Sequence, residues 1–453
     1  MTETIFPEAN SPEAVFPETT ASEPLSCFDP AVNGGAMLPV AESIERILSQ
    51  LSWPQQNEEV ALAEAVNRVL AQDQISTINV PQQTNSAMDG YAICAAALKE
   101  NEQQSFKVVG QVFAGGSYPG TVSPGEAVEI MTGAPVPAGT DSIIMREMTE
   151  LQGDQMTFSG PVAVGQHVRQ RGEDISAGSA ALSAGCLIRP QEQGLLASLG
   201  MQKVKVYRQL TVAVFSTGDE VVPQGQPLPE NCIYDTNRFT LMGLLQRMGC
   251  KVIDLGIIED NQQVMESTLS EAAGQADMVI SSGGVSMGQA DYIKLALQAV
   301  GEINFWRIAM RPGRPLAFGQ LGSDTGTVAG KETGTDTSKT PFFGLPGNPV
   351  AVMVTFLQFV QPALRKMMGQ RDWQPVRMTA VAEHTLKSRL NRIDYSRGIY
   401  RINDQGQLVV SSTGAQGSGI LTSMVQANCL IEIGEPLAQV EAGQSVLIQP
   451  FGD

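Results

Sequence analysis

One stretch of the chain constrains its fold more than any other, and it runs from Asp277 to Asp291. Residues 278–280 (Met-Val-Ile) form a short apolar run, which is typical of a strand buried on both faces of a parallel sheet. Turn residues at 281–288 follow this run, and a helix is expected to begin at about Tyr292. The stretch therefore predicts a strand that ends in a glycine-rich loop before a helix.

The glycine-rich loop has the composition of an anion-binding loop. Its glycines lack a Cβ, so backbone amides can approach an anionic or flat ligand closely, and its serines add hydroxyl donors. The same composition occurs in plain connections between a strand and a helix, so the loop alone leaves both interpretations open. The residues concerned are Gly283, Gly284, Gly288, Ser281, Ser282 and Ser286.

Alternating buried strands and helices extend on both sides of this stretch, from Leu210 to Met368. An alternation of this kind predicts an α/β domain whose sheet is mostly parallel. The segment 322–340 interrupts it with Gly, Thr, Ser and Asp, which indicates a flexible insertion. The predicted strands are 211–215, 251–255, 304–309, 316–318 and 341–345, and the predicted helices are 238–248, 264–273, 293–300 and 350–368.

The remaining segments differ in composition from this region. Residues 1–36 are rich in Pro, Glu, Ser and Thr, and are expected to form a disordered tail. Apolar residues recur at helical spacing over 40–51, and a second apolar segment at 64–70 is also predicted to pack as a helix. Short β-rich runs separated by Gly and Pro occupy 106–189, and similar runs follow Pro375. They predict a small β-rich domain and a compact C-terminal β domain.

Length and charge restrict the class of protein. A chain of 453 residues is long enough for about three domains. The net charge of -18 at pH 7 argues against a nucleic-acid or anionic-membrane partner, because phosphate groups bind clustered Lys and Arg. An anionic ligand would therefore need a local basic pocket.

Cysteine and histidine usage argues against several kinds of site. The 6 cysteines are scattered without a Cys-x-x-Cys pair, so neither a zinc site nor a disulfide framework is indicated. The 2 histidines, His167 and His384, lie far apart, so a general acid or base is expected to be a carboxylate. The acidic N-terminus does not resemble a signal peptide, and no apolar run approaches the ~18 residues of a membrane span. A cytoplasmic protein is expected.

Polar loops follow three of the predicted strands, at 216–220, 281–288 and 346–349 (Pro-Gly-Asn-Pro). The carboxyl ends of parallel strands gather at one edge of a sheet, where ligands bind, and helix starts favour anions. Asp260 and Asp291 are close to these loops in sequence. Converging carboxylates would suit Mg²⁺, which prefers oxygen ligands, although aspartates at loop ends are commonly helix caps.

Three arginines stand close together in this acidic chain, at positions 307, 311 and 314, and two prolines restrict the backbone between and after them. A planar guanidinium binds phosphate or another oxyanion through two parallel hydrogen bonds. The segment therefore predicts an oxyanion receptor. A row of surface arginines that balances neighbouring acids is the alternative.

Two further regions concentrate polar groups at turns. Asp89-Gly90, within 84–92, predicts a hairpin turn on backbone grounds alone. The loops 131–135 (Met-Thr-Gly-Ala-Pro) and 169–174 (Arg-Gln-Arg-Gly-Glu-Asp) carry hydroxyl, guanidinium and carboxylate groups. A solvated face would explain the second loop equally well.

Seven motifs occur in a fixed order along the chain: Ser86–Ala92, Met131–Pro135, Arg171–Asp174, Ser216–Glu220, Tyr234–Asn237, Ser281–Asp291 and Leu345–Val350. Together they closely resemble one family, the molybdopterin molybdenumtransferases of the MoeA and gephyrin E-domain type, from about Leu38 to Phe451. The resemblance implies an elongated homodimer of a multidomain α/β plus β chain. The implied domains are a tail at 1–36, a helical linker domain at 37–56 and 179–209, an inserted β-rich domain at 57–178, an α/β molybdopterin-binding domain at 210–373 and a C-terminal β domain at 374–453.

The resemblance also implies an activity and the residues that perform it. Members insert molybdate into adenylylated molybdopterin with release of AMP, and they use Mg²⁺; the inserted domain of one subunit is expected to complete the cleft of the other. The implied catalytic residues are Asp89, Thr132, Asp174, Glu220, Asp260 and Asp291, of which Glu220, Asp260 and Asp291 are also the implied metal ligands. The implied substrate-binding residues are Ser281, Gly283, Gly284, Ser286, Arg307, Arg311, Arg314, Pro315, Pro346, Gly347, Asn348, Pro349, Arg397 and Ser423.

The chain departs from the family pattern at several positions. Arg307 and Arg311 stand where many members have lysines, which keeps the charge but replaces a point donor by a planar fork. Ala351 stands where a serine is expected, so one oxyanion donor is missing. The tail at 1–36 and the insertion at 322–340 fall outside the pattern, and no role is assigned to them.

Two other functions are compatible with parts of the resemblance. One is the preceding step, adenylylation of molybdopterin by ATP, since its enzymes share the α/β domain and the Gly-Gly-Val-Ser loop; such an enzyme is also a possible partner. The other is a non-catalytic scaffold of the gephyrin type, which binds peptide segments. The inserted and C-terminal domains favour insertion over adenylylation, and the complete set of acids favours catalysis over a scaffold.

Overall fold

The computed structural model describes residues 37–98, 104–284, 292–322 and 339–452. The tail, most of the predicted insertion and the second part of the glycine-rich loop lie outside the described residues. The chain divides into two compact units, one formed by 54–208 with 368–371 and the other by the described parts of 1–53, 209–367 and 372–453. We call them the β unit and the α/β unit.

The helices agree with most of the predicted segments. A π-helical turn, Phe356–Val360, joins the helices Pro349–Thr355 and Gln361–Met367. Together they correspond to the long apolar helix predicted at 350–368. None of the described helices is long and apolar enough to cross a membrane. The α-helices are α1 Val40–Ser49, α2 Pro190–Ser198, α3 Asn237–Arg247, α4 Gln262–Gln275, α5 Tyr292–Val300, α6 Pro349–Thr355, α7 Gln361–Met367 and α8 Leu421–Gln426, and 3₁₀ turns span Leu62–Glu64, Ala95–Ala97 and Arg146–Met148.

The helix predicted at 64–70 is wrong, because the backbone groups there bond to another part of the chain. Asn67 has a positive φ of 64°, which a helix does not tolerate. The amide of Asn67 donates to the carbonyl of Ile188, and the amide of Leu70 donates to that of Cys186. Ala65, Val69 and Leu70 are therefore buried in an irregular connection, while Val66 is exposed.

The β unit is built around a six-stranded sheet, which confirms a small β-rich region. Its strand order is β7-β4-β6-β5-β9-β8, with β5 and β6 parallel and the other pairs antiparallel. Outside this sheet, β1 pairs with β12, β2 with β11 and β3 with β10. The strands are β1 Asn57–Ala61, β2 Gln74–Ile75, β3 Asn85–Ser86, β4 Gly90–Ile93, β5 Gln104–Val112, β6 Glu126–Ile130, β7 Ser142–Met145, β8 Thr149–Gln152, β9 Gln155–Phe158, β10 Val168–Arg169, β11 Ala180–Leu182 and β12 Lys203–Tyr207.

Two contacts, one strand pairing and one hydrogen bond, bear on the predicted domain boundaries, which stay predictions. β1 was placed in the inserted domain and β12 in the helical linker domain, yet the two strands are hydrogen-bonded along their whole length. α1, also placed in the linker domain, lies in the α/β unit, where the Lys366 ammonium donates to the carbonyl of Leu48 at 2.6 Å.

The α/β unit contains the mostly parallel sheet that the sequence predicts. Its strand order is β16-β13-β17-β21-β20-β18. The strands β16, β13, β17 and β21 pair in parallel, and β20 pairs antiparallel with both of its neighbours, β21 and β18. After β16 the chain crosses to the other side of β13, so the strand order reverses there. The strands are β13 Thr211–Thr217, β14 Val221–Val222, β15 Ile233–Tyr234, β16 Lys251–Ile258, β17 Met278–Ser282, β18 Gly301–Arg307, β19 Met310–Arg311, β20 Pro315–Leu321 and β21 Thr340–Leu345.

One face of this sheet is buried against α4 and α5. The helices place apolar side chains every three or four residues towards the strands, and this removes a large apolar area from water. The exposed face of α4 is mainly polar, whereas that of α5 includes Leu295, Gln298 and Ala299. The cluster includes Phe215, Met265, Leu269, Val279, Ile293, Leu297 and Phe342.

The C-terminal strands close into a small barrel. β24 pairs with β25, β25 with β22, β22 with β28, β28 with β26, and β26 again with β24. β19 pairs with β24 on its open side and so joins the barrel to the α/β sheet. The strands are β22 Met378–Ala382, β23 Leu386–Lys387, β24 Ile393–Ile402, β25 Leu408–Ser412, β26 Cys429–Ile433, β27 Gln439–Val440 and β28 Ser445–Pro450.

The hairpin turn predicted at Asp89-Gly90 is wrong, and the glycine has another reason to be there. Gly90 begins β4, which pairs with β6 and β7, whereas β3 pairs with β10. A Cβ at Gly90 would overlap the carbonyl oxygen of Ile144. Close approach of the neighbouring strand therefore excludes any larger residue.

Replacement of this glycine should destabilise the β unit. Gly90→Ala is expected to cost about 1–3 kcal/mol, because the backbones of β4 and β7 must separate. Gly194→Ala is the matched control, since a Cβ at this position in α2 meets nothing within 4 Å and alanine favours a helix by about 0.5–1 kcal/mol. Thermal unfolding should show a lower Tm for the first variant and an unchanged or higher Tm for the second. An unchanged Tm for Gly90→Ala would contradict the packing argument.

Candidate functional site

A pocket of about 1260 Å³ lies at the carboxyl-end edge of the α/β sheet. The loops after β13, β16, β17 and β21 all contribute residues to its wall. This is the edge at which the reversal of strand order opens a crevice for ligands. The segment 310–315 and residues from the C-terminal part of the chain complete the lining.

The structure brings many of the predicted site residues together at this pocket, but not all of them. Ser281, Arg307, Arg397 and Ser423 do not line it, and Asp89, Thr132 and Asp174 belong to the β unit. Ser286 and Asp291 lie outside the described residues. The predicted residues that line the pocket are Glu220, Asp260, Gly283, Gly284, Arg311, Arg314, Pro315, Pro346, Gly347, Asn348 and Pro349.

Two glycines of the pocket, Gly283 and Gly218, have a positive φ and leave no room for a Cβ. Gly283 has a φ of 90°, and a Cβ there would lie 2.6 Å from the carbonyl oxygen of Thr217. Gly218 has a φ of 133°, and a Cβ there would lie 2.7 Å from a carboxylate oxygen of Glu220. The loops after β13 and β17 are thus packed against each other, and Gly218 leaves the space that the Glu220 carboxylate occupies.

Three side-chain atoms of the pocket wall are buried and have no hydrogen-bond partner among the described residues. They are Thr217 Oγ1, Asn237 Oδ1 and Arg392 Nε. Asn237 Nδ2 donates to the carbonyl of Gly347 at 2.7 Å, which leaves Oδ1 as a free acceptor. An unpaired buried polar atom costs free energy. The pocket is therefore built for a polar ligand that both donates and accepts hydrogen bonds.

A buried ion-pair network positions the start of α3 at this pocket. Asp235 is 2% exposed; it accepts a hydrogen bond from Ser216 Oγ at 2.9 Å and one from Arg238 Nε at 2.7 Å. Arg238 also pairs with Asp254 on β16. A charge removed from water in this way needs its partners, so the network holds the end of β13 and the neighbouring Asn237 in place.

A second ion pair joins the arginine segment to the barrel. Arg311 binds Asp394 through two hydrogen bonds, with Nη2 at 2.6 Å and Nε at 3.2 Å from the carboxylate oxygens. Burial raises the pKa of Asp394 above its ordinary value, and the Arg311 guanidinium offsets part of this effect. Arg311 and Asp394 are also direct partners in the pairing of β19 with β24.

Arg397 and Ser423 do not line the pocket, but they bond to each other and to a segment of its wall. Arg397 is 1% exposed, and its Nε donates to Ser423 Oγ at 3.0 Å while Nη2 donates to the carbonyl of Gly417 at 3.0 Å. Burial lowers the pKa of the Arg397 guanidinium. These bonds fix the segment 415–423, whose residues Ser418 and Leu421 line the pocket.

Sequence reasoning missed two further arginines of the pocket wall, Arg389 and Arg392. Their close spacing in Arg-Leu-Asn-Arg, in so acidic a chain, was the available signal. Residues 315–388 separate them from 311–314 in the sequence, and the pairing of β19 with β24 brings the two segments together.

A second group of predicted residues meets on the β unit. Asp89 Oδ1 accepts hydrogen bonds from the amide and from the hydroxyl of Thr132, each at 2.7 Å. These two bonds, and the charge of Arg146, hold the pKa of Asp89 below its ordinary value. Asp174 lies in the loop after β10, which pairs with the strand before Asp89. All three residues are exposed, so they are accessible to a ligand.

The implied metal ligands are brought together in part. Glu220 and Asp260 line the same pocket, and Asp291 lies outside the described residues. Over 37–98, 104–284, 292–322 and 339–452, no group of three or more His, Cys, Asp or Glu side chains forms a metal site. Two carboxylates in one pocket suit Mg²⁺, which is usually bound by one or two carboxylates and keeps several waters.

The Thr132 hydroxyl should control the protonation of Asp89. Thr132→Val removes one of the two bonds to the carboxylate, so the pKa of Asp89 should rise towards its ordinary value, whereas Thr132→Ser should leave it low. Because the bonds favour the carboxylate, their contribution to stability is present above the ordinary pKa and is lost as pH falls through the lowered one. A ¹³C NMR titration of labelled Asp carboxyls would measure this. Equal pKa values in both variants would contradict the assigned hydrogen bond.

Comparison with known proteins gives matches over nearly the whole described chain. Residues 38–200 match the family described as MoeA N-terminal region (domain I and II), 213–366 match the probable molybdopterin binding domain, and 379–451 match the MoeA C-terminal region (domain IV). A molybdopterin molybdenumtransferase of Haemophilus influenzae is 45% identical over 417 residues, which cover 92% of this chain and 99% of that protein.

Two further relatives agree with these matches. A molybdopterin molybdenumtransferase of Nostoc sp. is 35% identical over 415 residues, which cover 90% of this chain and 92% of that protein. The crystal structure of the molybdopterin biosynthesis moeA protein from Pyrococcus horikoshii OT3 superimposes with a TM-score of 0.75 at 29% identity, and the match covers 92% of this chain and 100% of that one.

Proposed function

The chain belongs to the MoeA family of molybdopterin molybdenumtransferases, and on this premise we propose that it inserts molybdate into adenylylated molybdopterin and releases AMP. The observation that carries the proposal is the pocket at the reversal of strand order. It combines the carboxylates Glu220 and Asp260 with the guanidinium groups of Arg311 and Arg314 in one cavity. An anionic ligand and a cation that neutralises it could both be bound there.

The residues of the pocket have separable tasks in this reaction. Arg314 and the neighbouring arginines attract the oxyanion, and the glycines at 283 and 284 let backbone amides approach the ligand. Asn237 Oδ1 accepts a hydrogen bond from an N–H group, which the pterin ring carries. Binding in a fixed orientation places molybdate beside the dithiolene and lowers the entropic part of the barrier.

Glu220 and Asp260 are the residues that would hold Mg²⁺. When bound, the ion neutralises phosphate charge during cleavage of the adenylyl group. Asp291 is proposed as the third ligand from the family resemblance alone. In the β unit, Asp89 with its lowered pKa stays ionised at neutral pH, so it accepts rather than donates hydrogen bonds at that pH. Asp174 and Thr132 are proposed to act with it.

Several finer statements belong to the same proposal. We place the enzyme in the cytoplasm as a homodimer, in which the inserted β-rich domain of one subunit completes the cleft of the other. We also propose that adenylylated molybdopterin is received from a molybdopterin adenylyltransferase. The adenylylation reaction itself is the alternative activity, and a requirement for ATP would distinguish it. The alternative that is not an enzyme is a non-catalytic scaffold of the gephyrin type.

Release of AMP in the absence of ATP tests the proposal directly. The purified chain is incubated with Mg²⁺, adenylylated molybdopterin and molybdate, and AMP release and reconstitution of a molybdenum-free apoenzyme are followed together. Molybdate-dependent release with reconstitution is the expected result. Dependence on ATP would favour the adenylyltransferase, and binding without release would favour the scaffold.

Replacement of the pocket carboxylates should remove the activity without unfolding the chain. Glu220→Gln and Asp260→Asn are each expected to lower the rate of AMP release by roughly 10²-fold or more, because a group that stabilises developing charge is lost. Glu259→Gln is the matched control, since Glu259 is adjacent to Asp260 but does not line the pocket. Equal rates in all three variants would rule out the assigned role of these carboxylates.

A further inference from the structure

Four arginines surround one side of the pocket, and we call them the arginine cluster: Arg311, Arg314, Arg389 and Arg392. They come from two segments of the chain, the connection between β19 and β20 and the residues before β24. The resemblance accounts for Arg311 and Arg314. It assigns nothing to Arg389 and Arg392.

The positive charge of the arginine cluster is compensated only in part. Arg311 is paired with the buried carboxylate of Asp394. Arg314, Arg389 and Arg392 form no ion pair with a carboxylate of the residues that the structure describes. The chain carries a net charge of -18. The pocket also contains the carboxylates Glu220, Asp235 and Asp260, but three of the four clustered arginines have no carboxylate of the described residues paired with them. This local concentration of positive charge in so acidic a chain indicates a site for an anion.

Arg392 gives the most direct support for an anion site at the arginine cluster. Its Nε is buried and has no hydrogen-bond partner in the described part of the chain. Burial, together with repulsion from Arg314, Arg389 and Arg311, lowers the pKa of its guanidinium, and the charge of Asp394 offsets part of this effect. Like charges held close together are unfavourable unless a bound anion compensates them. The unpaired Nε and the neighbouring arginines therefore favour a bound anion at this guanidinium.

We propose that Arg392, with Arg314 and Arg389, forms a subsite for a tetrahedral oxyanion. The occupant is either molybdate itself or a phosphoryl group of the nucleotide-bearing substrate, since both present oxygen atoms that a guanidinium fork can bind in pairs. The subsite deepens the proposed function and rests on it. Arg397 and Ser423, which the resemblance assigns to the oxyanion, bond to each other.

Calorimetric titration of simple anions tests the subsite on the full-length chain. Molybdate, inorganic phosphate and AMP are titrated separately into the wild type, Arg392→Gln, Arg392→Lys and Arg389→Gln. Arg401→Gln is the matched control, because Arg401 lies on the same strand, β24, pairs with Glu383 and does not line the pocket. Tm values of all variants establish that they are folded.

Loss of the Arg392 guanidinium should weaken the bound anion by roughly tenfold, which corresponds to about 1.4 kcal/mol. Arg392→Lys restores the charge without the fork, so it should recover part of the affinity. Arg389 is exposed, and its replacement should leave the fold intact and lower affinity less. Arg401→Gln should bind as the wild type does.

The anion that loses affinity identifies the occupant. A loss for molybdate alone places molybdate in the subsite, and a loss for phosphate and AMP alone places a phosphoryl group there. Unchanged affinities for all three anions in the folded Arg392 and Arg389 variants would overturn the proposal. Because these titrations need no pterin, the subsite can stand even if AMP release fails, and it can fail while AMP release is observed.

Discussion

The pairing of β17 with β13 on one side and β21 on the other is the constraint on which the candidate site depends. Every residue of β17 is buried, and its backbone pairs in parallel with both neighbours. Because parallel strands end at the same edge of a sheet, the loops that follow them are brought together. Side chains far apart in the chain, such as Glu220, Gly284 and Asn348, thereby line a single pocket.

The pairing of β19 with β24 adds the second half of the pocket. Arg311 and Asp394 are partners both in the backbone register and in a two-bond ion pair, so the arginine segment has one position against the barrel. Removal of Arg311 would leave the buried Asp394 carboxylate without its partner, which is strongly destabilising. The same contact places Arg389 and Arg392 beside Arg314. A barrel strand thus adds positive charge to a site whose carboxylates come from the α/β sheet.

Most of the fold could be predicted because its signals are local. The apolar run at 278–280, the alternation of strands and helices from 210 to 368 and the glycine-rich breaks all reflect residues within a few positions of each other. The predictions were wrong where the conformation depends on backbone groups that are distant in the sequence. Residues 64–70 bond to 186–188 and so do not form a helix. Gly90 is required by the closeness of the neighbouring strand β7 and not by a turn.

By itself, the sequence determined the α/β class, the order of the motifs and the family, because these depend on the types of residue and their order along the chain. It also predicted Glu220, Asp260 and Arg314 as site residues, and all three line the pocket. Only the tertiary structure decided that Arg392 faces the same pocket and that Arg397 binds Ser423 behind its wall. The physical reason is that pairing between strands far apart in the sequence determines which charged side chains come close together. No local pattern of residues encodes which distant strands pair.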